Sequence, residues 1–214
     1  MADKLVIIGA GGHGRVVGDC AEVIGNYQEI VFLDDCLTDT ERPRAENAHW
    51  PIVGEVAQWP EYLACADFIV AFGNNQLRLD IINQLLAAGA NVVSLIHPTA
   101  VLSKHIEIGQ GSVVFAGAVI NIGTRIGKGC IINTLASIDH DCDIAEGVHI
   151  SPNASLAGGV KVGRLSWLGI GATVIQYLTI SDNCQLGAST VVIKNITSSG
   201  TYVGSPARLI KNSN

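Results

Sequence analysis

The chain has 214 residues, a formal net charge of −6 and 48% hydrophobic residues, enough for one or two packed domains. The acidic balance and the lack of a basic stripe exclude an electrostatic nucleic-acid footprint. The first apolar run, Leu5 to Ile8, is too short for a secretory or membrane-spanning segment, and Cys20, Cys36, Cys65, Cys130, Cys142 and Cys184 show no CxxC pair or zinc spacing. A cytoplasmic protein with reduced thiols and no metal is expected.

Lys4 to Ile8 reads as a strand, followed by Gly9-Ala10-Gly11-Gly12-His13-Gly14 and a helix from Arg15 to Ile24. Glycines in such a turn let a phosphate approach the backbone at a helix N-terminus. A second strand, Ile30 to Leu33, ends in Asp34-Asp35, about 20 residues beyond Gly14, where an acid can accept hydrogen bonds from a ribose or a base. Leu37 to Pro60 is polar and proline-containing, and is expected to be a loop with a short strand near Ile52 and Val53. Within it His49 and Trp50 read as surface residues. Two further strands, Asp67 to Phe72 and Asn91 to Leu95, flank an amphipathic helix, Gln76 to Ala88, with Leu77, Ile81, Leu85 and Ala88 on one side. An NAD site would require a second half-domain. Residues 1–95 are therefore expected to form a small Rossmann-like α/β domain with a short parallel sheet, suited to a mononucleotide.

From Ile96 the chain changes period. An aliphatic residue recurs at every sixth position without exception, from Ile96, Leu102, Ile108 and Val114 through to Leu186 and Val192. The positions four residues on are small or aliphatic: Ala100, Ile106, Ser112, Ala118, Thr124, Cys130, and onward through Cys142 and Cys184 to Ile196. Neither a helix nor a half-buried strand has this repeat, whereas a parallel β-helix does. Three hexads per triangular coil give roughly six coils, with the cysteines of the small class as packing residues. Gly109, Gly127, Gly163, Gly169 and Gly187 directly follow large positions, where a tight corner would call for glycine. The expected boundaries are 96–197 for the β-helix and 198–214 for a C-terminal tail.

The hexad pattern resembles the left-handed parallel β-helix acyltransferases, typically homotrimers that use acetyl-CoA. Several segments narrow the likeness: Asn133-Thr134, Ile138-Asp139-His140-Asp141-Cys142, His149-Ile150-Ser151-Pro152 and Ala157-Gly158-Gly159-Val160. Outside the repeat they are joined by the Gly-Gly-His-Gly turn, Gly73-Asn74-Asn75, Arg78 and Gly204-Ser205-Pro206-Ala207-Arg208. With these, the whole chain resembles the bacterial nucleotide-sugar N-acetyltransferases that act on 4-amino sugars, such as the bacillosamine-pathway enzyme, a family grouped with sialic-acid O-acetyltransferases.

The resemblance implies a general base at His140, oriented by Asp141 or alternatively Asp139, and a direct transfer with no covalent intermediate. It implies that His149 approaches the acetyl group or the incoming sugar, with Asn133 in the same pocket, and that backbone near Ala157 and Gly158 stabilises the oxyanion. Gly169 and Gly187 would line the acetyl-CoA site. Gly11, Gly12, His13 and Gly14 would hold the diphosphate of a UDP-linked amino sugar, Asp34 and Asp35 the uridine, and Asn75 and Arg78 the same substrate. The alternatives are O-acetylation of sialic acid or another sugar, and a non-catalytic nucleotide-sugar sensor or scaffold.

Overall fold

The computed structural model describes residues 2–35 and 49–212. Cys36 and residues 37–48 of the expected loop lie outside these. The chain divides into two compact units, Met1–Leu95 and Ile96–Asn214.

In the first unit Lys4–Ile8 (β1), Glu29–Leu33 (β2), Ile52–Gly54 (β3) and Ala66–Val70 (β4) make a parallel sheet in the order β3-β2-β1-β4. Helices cover both faces, which is why the strands are mostly apolar on both sides rather than alternating, Lys4, Glu29 and Asp67 standing at or near their starts. Gly12–Ile24 (α1) brings Gly18 against Phe32 and Trp50 on one face. Asn75–Ala87 (α2) packs Ile81, Ile82 and Leu85 against Val6, Ile8, Val31 and Phe68 on the other.

The structure departs from the sequence reading in four places here. Helix α1 begins at Gly12, inside the glycine turn. Asn91 to Leu95 supplies a single bridge, Phe68 to Val92, while β3 takes the opposite edge of the sheet. The segment after β3 coils into a 3₁₀ helix, Val56–Tyr62. Trp50 is half-buried, its ring 6.0 Å from that of Phe32, so it is a packing residue.

The second unit is a parallel β-helix. Its short strands pair in parallel with residues one coil away, Arg125 with Asp143, Ile131 with His149 and Ser137 with Ser155. The three faces are sheets of five, eight and six strands. From Val114 to Val192 every large hexad residue is buried. Ile96 is exposed and Leu102 and Ile108 are half-buried, because the first coil has a neighbouring coil on one side only. The polar members of the small class are satisfied internally: Ser112, Thr124 and Ser166 donate to Gly127, Asp139 and Ser181 carbonyls, and accept from Cys130, Cys142 and Cys184 N–H groups. Buried hydroxyls bonded in this way avoid the desolvation cost of an orphaned polar group.

The corners differ from expectation. The left-handed backbone falls three residues after each large residue from Ile108 to Leu186, at Gly111, Gly117, Gly123, Gly129, Leu135, Asp141 and so on to Ser189. It does not fall at Gly109, Gly127, Gly163, Gly169 or Gly187. Those five are glycine because the next coil or strand passes too close: a Cβ at Gly127 would sit 2.7 Å from Glu146 N, and one at Gly169 would sit 2.6 Å from Leu186 O. The tail is also corrected. Gly200–Val203 pairs in parallel with Cys184–Leu186 and buries Tyr202, so it continues the eight-stranded face, and Arg208–Asn212 closes it antiparallel.

Gly127→Ala therefore destabilises the β-helix by about 1–3 kcal/mol although its φ is unremarkable. A urea-unfolding midpoint unchanged from wild type would contradict the close-approach account.

Candidate active site

His140 lies in the turn that follows the strand Ser137–Ile138 of the six-stranded face. Adjacent strand residues point to opposite sides, but Asp141 takes the left-handed conformation, φ 56°. That turn brings its Oδ2 to 2.9 Å from His140 Nδ1. A carboxylate only accepts, so Nδ1 carries the proton and Nε2 is left as the basic nitrogen. Asp139, the alternative partner, is used otherwise: its Oδ1 accepts from Asn121 Nδ2 at 2.9 Å and from the His140 N–H at 2.8 Å. It braces the turn instead of the ring.

The imidazole rests over the next coil. A Cβ on Gly158 would strike His140 Nε2 and Cε1, so glycine there is the seat of the ring. The Ala157 N–H is committed to Val174 O at 3.0 Å, which removes it as an oxyanion donor. The Gly158 N–H has no acceptor among the described residues. The Asp141 hydrogen bond raises the His140 pKa; desolvation opposes it, and the charges of Asp139 and Asp141 add smaller upward contributions. Beside this corner a cavity of about 420 Å³ runs over the six-stranded face, lined by Asn121, Ser137, Asp139, Ser155, Ala157 and Gln176 among others.

His149 stands elsewhere on the prism. It opens the strand His149–Ile150 of the eight-stranded face, buried, stacked on Trp167 with centroids 5.2 Å apart and planes 7° apart. Its Nε2 is 3.3 Å from Asn133 Nδ2, and Trp167 Nε1 donates to Ser151 Oγ at 2.8 Å. Gly169 and Gly187 follow the strands stacked next on this face. Within one chain the His140 and His149 groups thus occupy different sides of the helix. Asn121, Gly123 and Trp167 were not singled out from sequence. Each lies one 18-residue coil from a residue that was, and that offset was the available signal.

In the first unit the carboxyl ends of β1 and β4 bring the glycine turn and the start of α2 together. The two adjacent strands lead to helices on opposite faces, the arrangement that opens a ligand crevice in α/β sheets. A Cβ at Gly12 or Gly73 would meet nothing within 4 Å, whereas one at Gly14 would collide with Gly9 O. Arg78 is 1% exposed and donates to Phe72 O and Asn75 Oδ1, both at 2.9 Å. Burial, and then the Arg78 charge, push the His13 pKa down to about 4. The two acids serve the protein's own backbone: Asp34 Oδ2 accepts from the Ala10 N–H in the glycine turn, and Asp35 Oδ1 from the Val56 N–H at the 3₁₀ helix start. Among the described residues no His, Cys, Asp and Glu side chains cluster into a metal site, and no helix is long and apolar enough to cross a membrane.

A family model for the PglD N-terminal domain matches residues 4–85. The acetyltransferase domain of PglB from Neisseria gonorrhoeae FA1090 is 40% identical and superposes with a TM-score of 0.91, over 97% of this chain and 100% of that one. The same domain has been solved in complex with acetyl coenzyme A. PerB from Caulobacter crescentus, in complex with CoA and GDP-perosamine, is 35% identical with a TM-score of 0.87, covering 97% of each chain. A curated relative from Bacillus subtilis (strain 168), named UDP-N-acetylbacillosamine N-acetyltransferase, is 35% identical over 113 residues, 53% of this chain and 51% of that protein. The match therefore spans about half the length of that relative. These likenesses extend over both units and give the β-helix its left hand.

The influence of the Arg78 charge on His13 has a direct check. In Arg78→Gln the His13 pKa rises from about 4, yet stays below the ordinary histidine value because burial, the larger cause, persists. Histidine ring NMR across a pH series reads this, and an unmoved His13 would separate the two side chains.

Proposed function

Because the chain belongs to the hexapeptide-repeat nucleotide-sugar N-acetyltransferases, we propose that it transfers acetyl from acetyl-CoA to the 4-amino group of a UDP-linked 4-amino-4,6-dideoxy sugar. The observation that carries this reading is the His140–Asp141 pair, its Nδ1 tied down and its Nε2 seated on Gly158 beside an open cavity. His140 Nε2 takes a proton as the amine nitrogen attacks the thioester carbonyl. The Gly158 N–H faces the oxyanion. When the C–S bond breaks, the imidazolium returns the proton to the coenzyme A thiolate, and Asp141 stabilises the ring while it is charged. Base catalysis of this kind contributes roughly 10²–10⁴ in rate.

The diphosphate binds at the Gly11–Gly14 turn near the buried Arg78, where helix N-termini and a cation favour an anion. The name of the Bacillus subtilis relative favours a UDP sugar. The GDP-perosamine held by the Caulobacter crescentus protein supports a second reading, a GDP-linked amino sugar at the same site. The thiols of Cys20, Cys65, Cys130, Cys142 and Cys184 are free, which suits a cytoplasmic enzyme.

The active unit in this reading is a homotrimer. The outward residues of the six-stranded face, Val101, Val119, Ser137, Ser155, Thr173 and Val191, carry no charge. Those of the five-stranded face include Glu107, Arg125, Asp143 and Lys161. A small, neutral face suits burial against a second copy, which would supply His149 and Asn133 to the His140 of its neighbour.

Release of coenzyme A thiol with UDP- and GDP-linked 4-amino sugars tests the chemistry. Turnover with one of them, lost about a hundredfold or more in His140→Ala, is the expected result, and a mutant as fast as wild type would remove His140 as the base. Light scattering tests the assembly: the wild type runs as a trimer and Ser155→Arg dissociates it, whereas a monomeric, active wild type would overturn the shared site.

A further inference from the structure

We propose that Gly123 is a positioning residue for the catalytic pair, because the missing Cβ at this place is what lets the Asp141 carboxylate lie across the coil below and reach His140. The inference rests on the reading of His140 as the base, but its geometry stands on three observations.

The first is contact. A Cβ built on Gly123 would collide with Asp141 Oδ1 and lie 3.3 Å from Asp141 Cγ. The other oxygen of the same carboxylate, Oδ2, is the one 2.9 Å from His140 Nδ1. The two oxygens share one carbon, so rotating or shifting the carboxylate to clear the space over residue 123 also moves Oδ2 from its place on the ring and weakens that hydrogen bond. The second is the backbone. The Asp141 N–H donates to Ile122 O at 3.0 Å and the Gly123 N–H to His105 O at 2.9 Å, so the two corners are fixed one above the other.

The third is what else faces the imidazole. Within one chain Asp139 and Asp141, on its own turn, are the charged groups whose influence reaches it, and in the trimeric reading the titratable His149 of a second copy also faces it. The coil below presents Asn121, Ile122 and Gly123, and the coil above Ala157, Gly158 and Gly159, none of them titratable. Asp139 is engaged by Asn121 and by the turn backbone. Asp141 is therefore the group whose displacement the ring registers most.

The backbone at Gly123 is left-handed, φ 76°, so any side chain there adds strain. Gly171 controls for it: its φ is 66°, but a Cβ there would meet only Ser189 Oγ, at 3.6 Å. The experiment compares wild type, Gly123→Ala, Gly171→Ala and Asp141→Asn by histidine ring NMR across the neutral pH range. Gly123→Asn is added as a second variant that tolerates left-handed φ.

The expected result is that the His140 pKa, held up in the wild type by Asp141, falls in both Gly123 variants toward its value in Asp141→Asn and stays put in Gly171→Ala. In the acetyl-transfer assay kcat falls about tenfold or more with the acid limb of the profile moved to lower pH, while KM for acetyl-CoA is little changed. A Gly123→Ala protein in which His140 titrates as in wild type overturns the proposal, as does a Gly171→Ala protein that shifts equally. The titration needs no turnover, so an inactive wild type would sink the assigned function and leave the positioning question decided.

Discussion

The ladder of parallel hydrogen bonds between coils is the constraint on which the rest of the second unit depends. It places each residue directly over the one 18 positions earlier, as Asn121 Nδ2 and Asp139 Oδ1 illustrate at 2.9 Å. Once that register is set, every column of the helix becomes a short vertical sequence in which neighbours must be compatible. At the corners a bulky group needs a small neighbour in the adjoining coil, and His140 against Gly158, Tyr177 against Gly159 and Asp141 against Gly123 are instances at one corner. The site is thus cut into a regular lattice by omission of side chains, with little departure from the repeat.

The same lattice explains how polar atoms survive in so narrow a core. Each inward hydroxyl or thiol faces carbonyls of the coil above and N–H groups of its own column. Thr124 bonds Asp139 O and receives the Cys142 N–H. Cys142 in turn approaches Ala157 O at 3.4 Å. This chain of contacts runs directly beneath the His140 turn and fixes the backbone on both sides of it. Rigidity of the turn matters for chemistry, because a base misplaced by an ångström loses much of the benefit of being held near its substrate.

Most of the architecture was legible in the sequence because a period of six is a one-dimensional signal, visible in the aliphatic positions from Ile96 to Val192. The corner rule was not. The left-handed positions hold Gly111 and Gly117 but also Leu135, Leu165 and Tyr177, so glycine alone does not mark them. Gly127 and Gly169 invite a conformational reading, yet their cause is the approach of a neighbouring coil, a tertiary fact. In the first unit Asp34-Asp35 had the spacing of a ribose-binding acid. One oxygen of each carboxylate accepts from the backbone N–H of Ala10 or of Val56, a tertiary contact that no local pattern announces. His140 and Asp141 stood out as neighbours, but only a φ of 56° lets adjacent residues meet.

The two ends of the proposed substrate impose opposite electrostatic demands, and the two units meet them differently. A diphosphate calls for positive potential, supplied by a buried Arg78 and by helix N-termini whose dipoles need no counter-charge. The reacting amine calls for a base that is neutral before transfer and cationic during it, so negative charge must be close but not so dominant that the ring stays protonated. Two carboxylates flank His140, and Asn121 with the turn backbone draws one of them away, leaving Asp141 to bond the ring. That division favours the imidazolium in the transition state through a single oriented contact. In that reading an Asp139 released from Asn121 would be free to turn its charge toward the ring and hold the proton more strongly in the resting enzyme, so the amide of Asn121 would be part of how the base is tuned.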